Sequence, residues 1–218
     1  TTSGTVGYNT TGEAQGSYWT NHFMGDGYFT RTDADFRLTS GDWALSFWFD
    51  CDYVTSGVGP DISCADGTHG WRVNMDGSRH IAVTHYVSGT ARTSTFSGYA
   101  FNDSTRYHVV IFYDDSADTY TCWASTTSFG NAINGTTVAQ TYNPTSSTEV
   151  FRINNGPAGE GYGHYDEVVF WKGTEISSSD ASAIFAARDG GTSWRETGGS
   201  SAVPKIMLLQ DHFSGGIH

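Results

Sequence analysis

Short segments in which large apolar residues recur at every second position restrict this chain more than any other feature of its sequence. The segment WALSFWFD has such residues at Trp43, Leu45, Phe47 and Phe49. An extended strand turns successive side chains to opposite faces, so a period of two predicts a β-strand with one buried face. The segments WRVNM (71–75) and HIAVTHY (80–86) repeat the pattern and predict successive antiparallel strands.

Later segments extend the pattern. RYHVVIFYD (106–114) is apolar on both faces, which is typical of a strand in the middle of a sandwich. TYTCWAS (119–125) places Tyr120 and Cys122 on one face and Trp123 on the other. Further strands are predicted in EVFRINN, HYDEVVFWKG and KIMLLQ. The sequence therefore predicts an all-β sandwich of two antiparallel sheets.

One stretch favours a helix. SSSDASAIFAARDGG offers Ser177 to Ser179 as N-terminal caps and Gly190 as the stop, with Ile184 and Phe185 on one side. This predicts a single short helix near the C-terminal end.

Composition and charge exclude several partners. The chain has 218 residues, of which 15% are aromatic and 16% charged, and this balance predicts one ordered domain. Lys and Arg number 11 against 23 Asp and Glu, so we expect neither nucleic acid nor a membrane surface as a partner. No basic-then-apolar leader begins at Thr1, which predicts a mature chain or a fragment.

Three blocks of the sequence carry a resemblance. They are, in order, GYFTRTDADFRLTSGDWALSFWF, RYHVVIFYDDSADTYTCW and YDEVVFWKGTEISSSDASAIFAARDGG. This series resembles the laminin-G-like branch of the concanavalin A-like lectin and glucanase superfamily, over about residues 25–190. The resemblance implies a jelly-roll sandwich over 1–190. Residues 191–218 then form a C-terminal extension, either a last strand or an arm that docks on a partner.

The resemblance implies several functions, because members of this superfamily include carbohydrate-binding modules, glycosidases, lyases and adhesive or virion modules. We expect a non-catalytic recognition module that binds a glycan or cell-surface polysaccharide, located extracellularly, at the cell surface or on a virion. The first alternative is a virion structural or adhesive protein, such as a phage decoration or fibre subunit, with homo-oligomer or virion neighbours. The second is a polysaccharide lyase.

The acidic residues argue against a glycosidase. A retaining enzyme needs two carboxyl groups about 5 Å apart, which on a strand means positions two apart. None of the glutamates has another within six residues. A lyase would need a base with a neutralising partner, for which His85 with Tyr86, or Arg72 with Asn74, are the candidates. No catalytic residue is assigned.

Sugar binding calls for flat aromatic faces that stack on the ring carbons. Trp48 and Trp123 lie opposite the core face of their strands, and Tyr86 lies at the end of a third. These three residues are the predicted ligand-binding side chains, with core packing as the alternative.

A structural calcium ion is the predicted cofactor. Asp166 shares strand parity with Val168 and Phe170, and a carboxylate in such an apolar row needs a partner. The resemblance implies Ca²⁺ between this aspartate and the N-terminal strand region, where Gly25 or Asp26 could contribute oxygen ligands. The alternative is a carboxylate that accepts backbone N–H bonds at a strand end.

The cysteines leave one question open. Cys51 and Cys64 bracket a glycine-containing loop and could close it as a disulfide, and Cys122 would then be a free thiol.

Overall fold

The structure is a computed structural model that describes residues 2–9, 20–50, 59–102, 105–126, 136–156, 159–160, 163–189 and 206–208. Its strands in the first half of the chain are β1 Thr2–Asn9, β2 Thr20–Arg31, β3 Trp43–Asp50, β4 Asp61–Ala65, β5 Gly70–Met75, β6 Ile81–Val87 and β7 Thr90–Thr95. Those in the second half are β8 Arg106–Asp114, β9 Thr119–Thr126, β10 Thr136–Ala139, β11 Phe151–Ile153, β12 Asn155–Gly156, β13 Gly159–Glu160, β14 Gly163–Lys172 and β15 Ile206–Leu208. A 3₁₀ turn covers Ala34–Phe36, and helix α1 covers Ser178–Asp189.

The strands form two antiparallel layers, which confirms the predicted fold class. The first layer runs β10, β9, β8, β3, β14, and the second runs β11, β4, β5, β6, β7. Strand β2 joins them, because its first part pairs with β14 and its last part pairs with β11. The strand expected at KIMLLQ is observed as β15, which pairs with β14.

The core lies between the two layers and is filled with aromatic rings. The ring centroids of Trp43 in β3 and Trp71 in β5 are 5.1 Å apart, so the layers touch directly. Phe36, from the 3₁₀ turn, stacks on Phe151 at 4.0 Å. The indole N–H of Trp71 donates to the carbonyl of Phe36 at 2.8 Å, which satisfies a buried donor.

A second apolar cluster lies on the outer face of the first layer. Helix α1 packs there through Ile184 and Phe185, which are 6% and 1% exposed. The predicted capping is confirmed: the Ser177 hydroxyl accepts the N–H of Asp180 at 3.2 Å, and the Asp180 carboxylate accepts the N–H of Ser177 at 2.9 Å. Within the described part of the chain, no helix is long and apolar enough to cross a membrane.

Strand β14 departs from simple alternation. Asp166 pairs with Trp48 and Val169 with Ser46, so β14 carries an extra residue between these pairs. Tyr165 and Val168 both belong to the inner core, although they are an odd number of positions apart. The simple alternation from which the sequence assigned Asp166 the parity of Val168 is therefore interrupted by a bulge at this point.

Candidate functional site on the polar face of the second layer

Strand alternation gives the second layer two faces of opposite character. Its inner face carries Ile62 and Cys64 of β4 and Trp71, Val73 and Met75 of β5, all within the core. The residues between them turn to the other face. We call this surface the polar face and define it by Asp61, Ser63, Arg72, Asn74, Thr84, Tyr86, Thr93 and Arg152.

The register aligns these side chains into a row across five strands. Directly opposite positions on neighbouring strands lie side by side. The row is Arg152, Ser63, Arg72, Thr84 and Thr93, on β11, β4, β5, β6 and β7. Its members carry hydroxyl and guanidinium groups, and the Thr84 and Thr93 hydroxyls are 2.9 Å apart. Ser63 and Thr84 are 0% and 7% exposed, so the row reaches solvent only through Arg152 and Arg72, which are partly exposed, and through Thr93, which is exposed. These three side chains offer donors and acceptors of the kind that bind hydroxyl-rich ligands.

An ion pair anchors the middle of the polar face. Arg72 donates to both carboxylate oxygens of Asp61, with Nε 2.9 Å from Oδ1 and Nη2 3.1 Å from Oδ2. The two side chains are 14% and 3% exposed. Burial opposes the charge of Arg72, but the hydrogen bond and charge of Asp61 outweigh it and raise the pKa of the guanidinium. The guanidinium is therefore charged, and the bidentate contact fixes the geometry of the pair.

Tyr86 lies at one end of the polar face, close to Arg72. Its phenol interacts with the Arg72 guanidinium and helps to raise the pKa of that group. The Tyr86 carbonyl accepts the N–H of Thr145 at 3.0 Å, which fixes the strand end to the loop before β11. Tyr86 is partly exposed, so of the three predicted ligand-binding residues it is the one on the polar face.

Trp48 and Trp123 lie elsewhere. They are 3% and 6% exposed, and Trp123 belongs to the cluster on the outer face of the first layer that α1 covers. Trp48 stacks on His108 at 4.5 Å, and His108 meets the ring of Phe185 from α1. The structure therefore does not join them with Tyr86 in one open platform, because the helix seals their face. Ligand contact by either tryptophan stays a prediction.

The residues predicted to hold calcium are not brought together. Tyr165 pairs with Asn21 at the end of the β14 to β2 ladder, next to Asp166. Asp26 lies five residues further along β2, about 16 Å in an extended strand. Calcium binding by Asp166 with Asp26 or Gly25 stays a prediction.

The two predicted lyase residues on β6 lie on opposite faces. His85 is fully buried on the core side, whereas Tyr86 belongs to the polar face. The Nδ1–H of His85 donates to the Tyr142 carbonyl at 2.8 Å, so its Nε2 accepts the hydroxyl of Tyr120. Burial lowers the pKa of His85 to about 4, so the ring is neutral and structural at neutral pH. Arg72 and Asn74, the other predicted pair, do share the polar face.

The structure describes two of the three cysteines. Cys64 and Cys122 are buried free thiols, and burial raises the pKa of each to about 12. Cys51 lies outside the described residues.

Sequence reasoning missed the Asp61–Arg72 pair and the row it belongs to. Arg72 and Asn74 alternate with Trp71 and Val73, so their parity already placed them away from the core. The partner strand and its register were not visible, because pairing between segments of distant sequence is not encoded in either segment alone.

No protein-family model matches the chain, and no curated protein matches it. Solved structures do. Domain 4 of AbnA, a GH43 extracellular arabinanase from Geobacillus stearothermophilus in complex with arabinotriose, matches with a TM-score of 0.61 and 12% identity over 84% of this chain and 82% of that one. A heptameric SAP-like pentraxin from Limulus polyphemus matches with a TM-score of 0.51 and 11% identity over 84% and 88%.

A third match is a structure of botulinum neurotoxin type C, described as dependent on two ganglioside molecules for cell entry. Its TM-score is 0.53, with 10% identity over 86% of this chain and 46% of that one. At these identities, the likeness establishes the architecture and not the function. The chain has the concanavalin A-like jelly-roll fold that the sequence predicts.

Proposed function

We propose that this protein is a non-catalytic glycan-binding module and that the polar face of the second layer is its binding surface. The observation that carries the proposal is the solvent-accessible part of the polar row, where Arg152, Arg72 and Thr93 lie near the partly exposed ring of Tyr86. Hydrogen-bonding groups beside an aromatic ring suit the hydroxyls and the C–H face of a sugar. Neighbours that bind arabinotriose or depend on gangliosides support the same class of ligand.

As part of this proposal, we assign the chain to the laminin-G-like branch of the superfamily. The strand β14 followed by α1, in YDEVVFWKGTEISSSDASAIFAARDGG, supports the laminin-G-like branch. An extracellular or cell-surface location follows from the ligand class proposed.

The same residues fit a lyase less well than a binding module. A lyase needs a guanidinium or amide that is free to neutralise a substrate carboxylate. The Nε and Nη2 groups of Arg72 already donate to Asp61, so its charge is balanced within the protein and is not free to neutralise a substrate carboxylate.

A glycan array followed by calorimetry with the best-bound oligosaccharide tests the proposal. We expect Tyr86→Ala to weaken binding by about tenfold or more, because an aromatic ring that stacks on a bound sugar contributes at least about 1.4 kcal/mol. Tyr142→Ala is the matched control, since Tyr142 is 49% exposed and lies outside the polar face.

Three results would count against the proposal. One is an array without any bound glycan, and another is equal binding by wild type and Tyr86→Ala. The third is the release of unsaturated uronate products from a bound polymer, which would establish the lyase instead.

A further inference from the structure

We propose a site for a divalent transition metal ion, of the Zn²⁺ class, at Asp66, His69 and Glu149. Each residue offers one ligand atom, and these atoms all lie within 4.8 Å of one another. The set combines an imidazole nitrogen with two carboxylate oxygens, which suits Zn²⁺ or Co²⁺ better than Ca²⁺, whose ligands are oxygens. It is separate from the calcium residues predicted from the sequence and independent of the proposed glycan binding.

The fold explains why three residues distant in sequence meet. Cys64 pairs with Phe151 of β11 on one side and with Trp71 of β5 on the other. Two positions from this buried row, at the same end of the three strands, lie Asp66 just after β4, His69 just before β5 and Glu149 just before β11. An offset of two keeps each side chain on the same face as its buried neighbour. The three side chains therefore lie side by side across neighbouring strands, at the end of the core between the layers.

Hydrogen bonds hold the first two ligands in place. One carboxylate oxygen of Asp66, Oδ1, accepts the N–H groups of Thr68 and His69, both at 2.7 Å. This leaves Oδ2 directed at the His69 ring, 3.3 Å from Nδ1. This contact is a hydrogen bond between the two side chains, and its length is close to the separation of about 3.3 Å between two ligands of a tetrahedral ion with bonds of about 2.0–2.1 Å. An ion would therefore replace the shared proton with little movement of either side chain.

Glu149 supplies the independent reason to expect a cation. The residue is 2% exposed, and within the described ranges its carboxylate accepts hydrogen bonds from the Ser146 hydroxyl at 2.9 Å and the Ser147 N–H at 2.6 Å. Among the described residues, no ion pair involves this carboxylate. A buried carboxylate is costly unless a cation or several hydrogen bonds compensate its charge. A metal ion would compensate it and would tie the loop before β11 to the β4 to β5 turn.

The chain contains its own control. In the β5 to β6 turn, the Asp76 carboxylate accepts the N–H groups of Ser78 and His80, and its Oδ2 is 3.4 Å from the His80 ring. This turn repeats the local geometry of Asp66 and His69. It is not part of a three-ligand cluster within the described residues. An ion that needs all three ligands should therefore bind at Asp66 and His69, and not at Asp76 and His80.

The test is titration of the whole, metal-stripped chain with ZnCl₂ and with CoCl₂, followed by calorimetry, visible absorption and thermal unfolding. We expect one ion per chain, a Co²⁺ spectrum typical of tetrahedral coordination, and a rise in Tm, because an ion that binds only the folded state stabilises it. His69→Gln and Glu149→Gln should each weaken this binding about tenfold or more, and His80→Gln should leave it unchanged. If Glu149→Gln does not fold, Asp66→Asn takes its place.

The proposal fails if neither ion binds, or if His69→Gln and His80→Gln weaken binding equally, which would mark adventitious surface binding. It also fails if CaCl₂ alone raises Tm and His69→Gln leaves that rise intact. Glycan binding is measured separately on the same variants, so failure of the metal site and failure of the proposed function give different results.

Discussion

His85 is a buried titratable side chain in a mainly aromatic core. It lies in contact with the rings of Tyr113 and Tyr120, with centroid distances of 5.7 and 5.3 Å. Its two ring nitrogens are both used, one by the Tyr142 carbonyl and the other by the Tyr120 hydroxyl. The core favours the neutral ring, because burial penalises the charge that protonation would add.

Stability should therefore fall as the pH is lowered from about 6.5 to about 4. Burial lowers the folded-state pKa of His85 from 6.5 to about 4, so between these values the unfolded chain binds more protons than the folded chain. The loss in unfolding free energy across this window is on the order of 3 kcal/mol. Urea unfolding at several pH values measures it.

His85→Gln should flatten that pH dependence, since an amide can donate to the Tyr142 carbonyl and accept the Tyr120 hydroxyl without titrating. His80→Gln is the matched control, because His80 lies in a turn and outside the core. An unchanged slope in His85→Gln would show that other groups govern the acid response.

The Asp61–Arg72 pair should contribute strongly when only one partner is removed. Arg72→Leu leaves a carboxylate that is 3% exposed without its guanidinium, which should lower the unfolding free energy by about 3 kcal/mol or more. Adding Asp61→Asn to Arg72→Leu should restore part of the loss, because the stranded charge is gone. A cost below about 1 kcal/mol for Arg72→Leu, measured by urea unfolding, would mean that water or another cation replaces the guanidinium.

The start of β5 depends on one glycine. Gly70 has φ +92°, and a Cβ there would meet the Cys64 carbonyl oxygen at 1.9 Å. Its N–H donates to the Thr145 carbonyl at 2.7 Å, so the backbone cannot easily retreat. The position requires glycine both for its conformation and for the close approach of the neighbouring strand.

Gly70→Ala should therefore lower the unfolding free energy by about 3 kcal/mol or more. Gly41→Ala separates the two causes: φ is +88° with nothing within 4 Å, so strain alone should cost about 1 kcal/mol. Gly77→Ala, where the space is also open and φ is not in the left-handed region, should be nearly neutral. Thermal unfolding of the three variants should give this order, and equal Tm values for Gly70→Ala and Gly41→Ala would refute the clash.

Alternation within a strand could be predicted from the sequence, and contacts between elements could not. The parity of Trp43, Leu45, Phe47 and Phe49 correctly predicts the core face of β3. The same parity puts Trp48 on the other face, but nothing local says that it is buried there against His108. The bulge after Asp166 is equally invisible, since it is defined by pairing with β3. The meeting of Asp66 and His69 with Glu149 depends on the β4 to β11 register for the same reason.

At the scale of the whole molecule, the two layers depend on each other. In the core cluster, side chains of one layer pack against side chains of the other. For example, the rings of Trp71 in β5 and Phe170 in β14 are stacked with their centroids 5.7 Å apart. Strand β2 is hydrogen-bonded to β14 in the first layer and to β11 in the second. Neither layer can bury its inner face alone, so neither forms a separate folding unit.

Unfolding should therefore be a single cooperative transition. Tryptophan emission reports mainly on the buried rings, such as Trp43 and Trp71, while far-UV circular dichroism reports on the strands of both layers. We expect the two probes to give the same urea midpoint, and Trp71→Leu to shift both midpoints together without changing the slope of free energy against urea. Loss of the Trp71 contacts with Trp43 and Phe170 should cost about 3 kcal/mol, since the void forms where the layers meet. Separate midpoints for emission and dichroism would mean that one layer persists without the other, and the dependence between the layers inferred from β2 and the shared core would then be wrong.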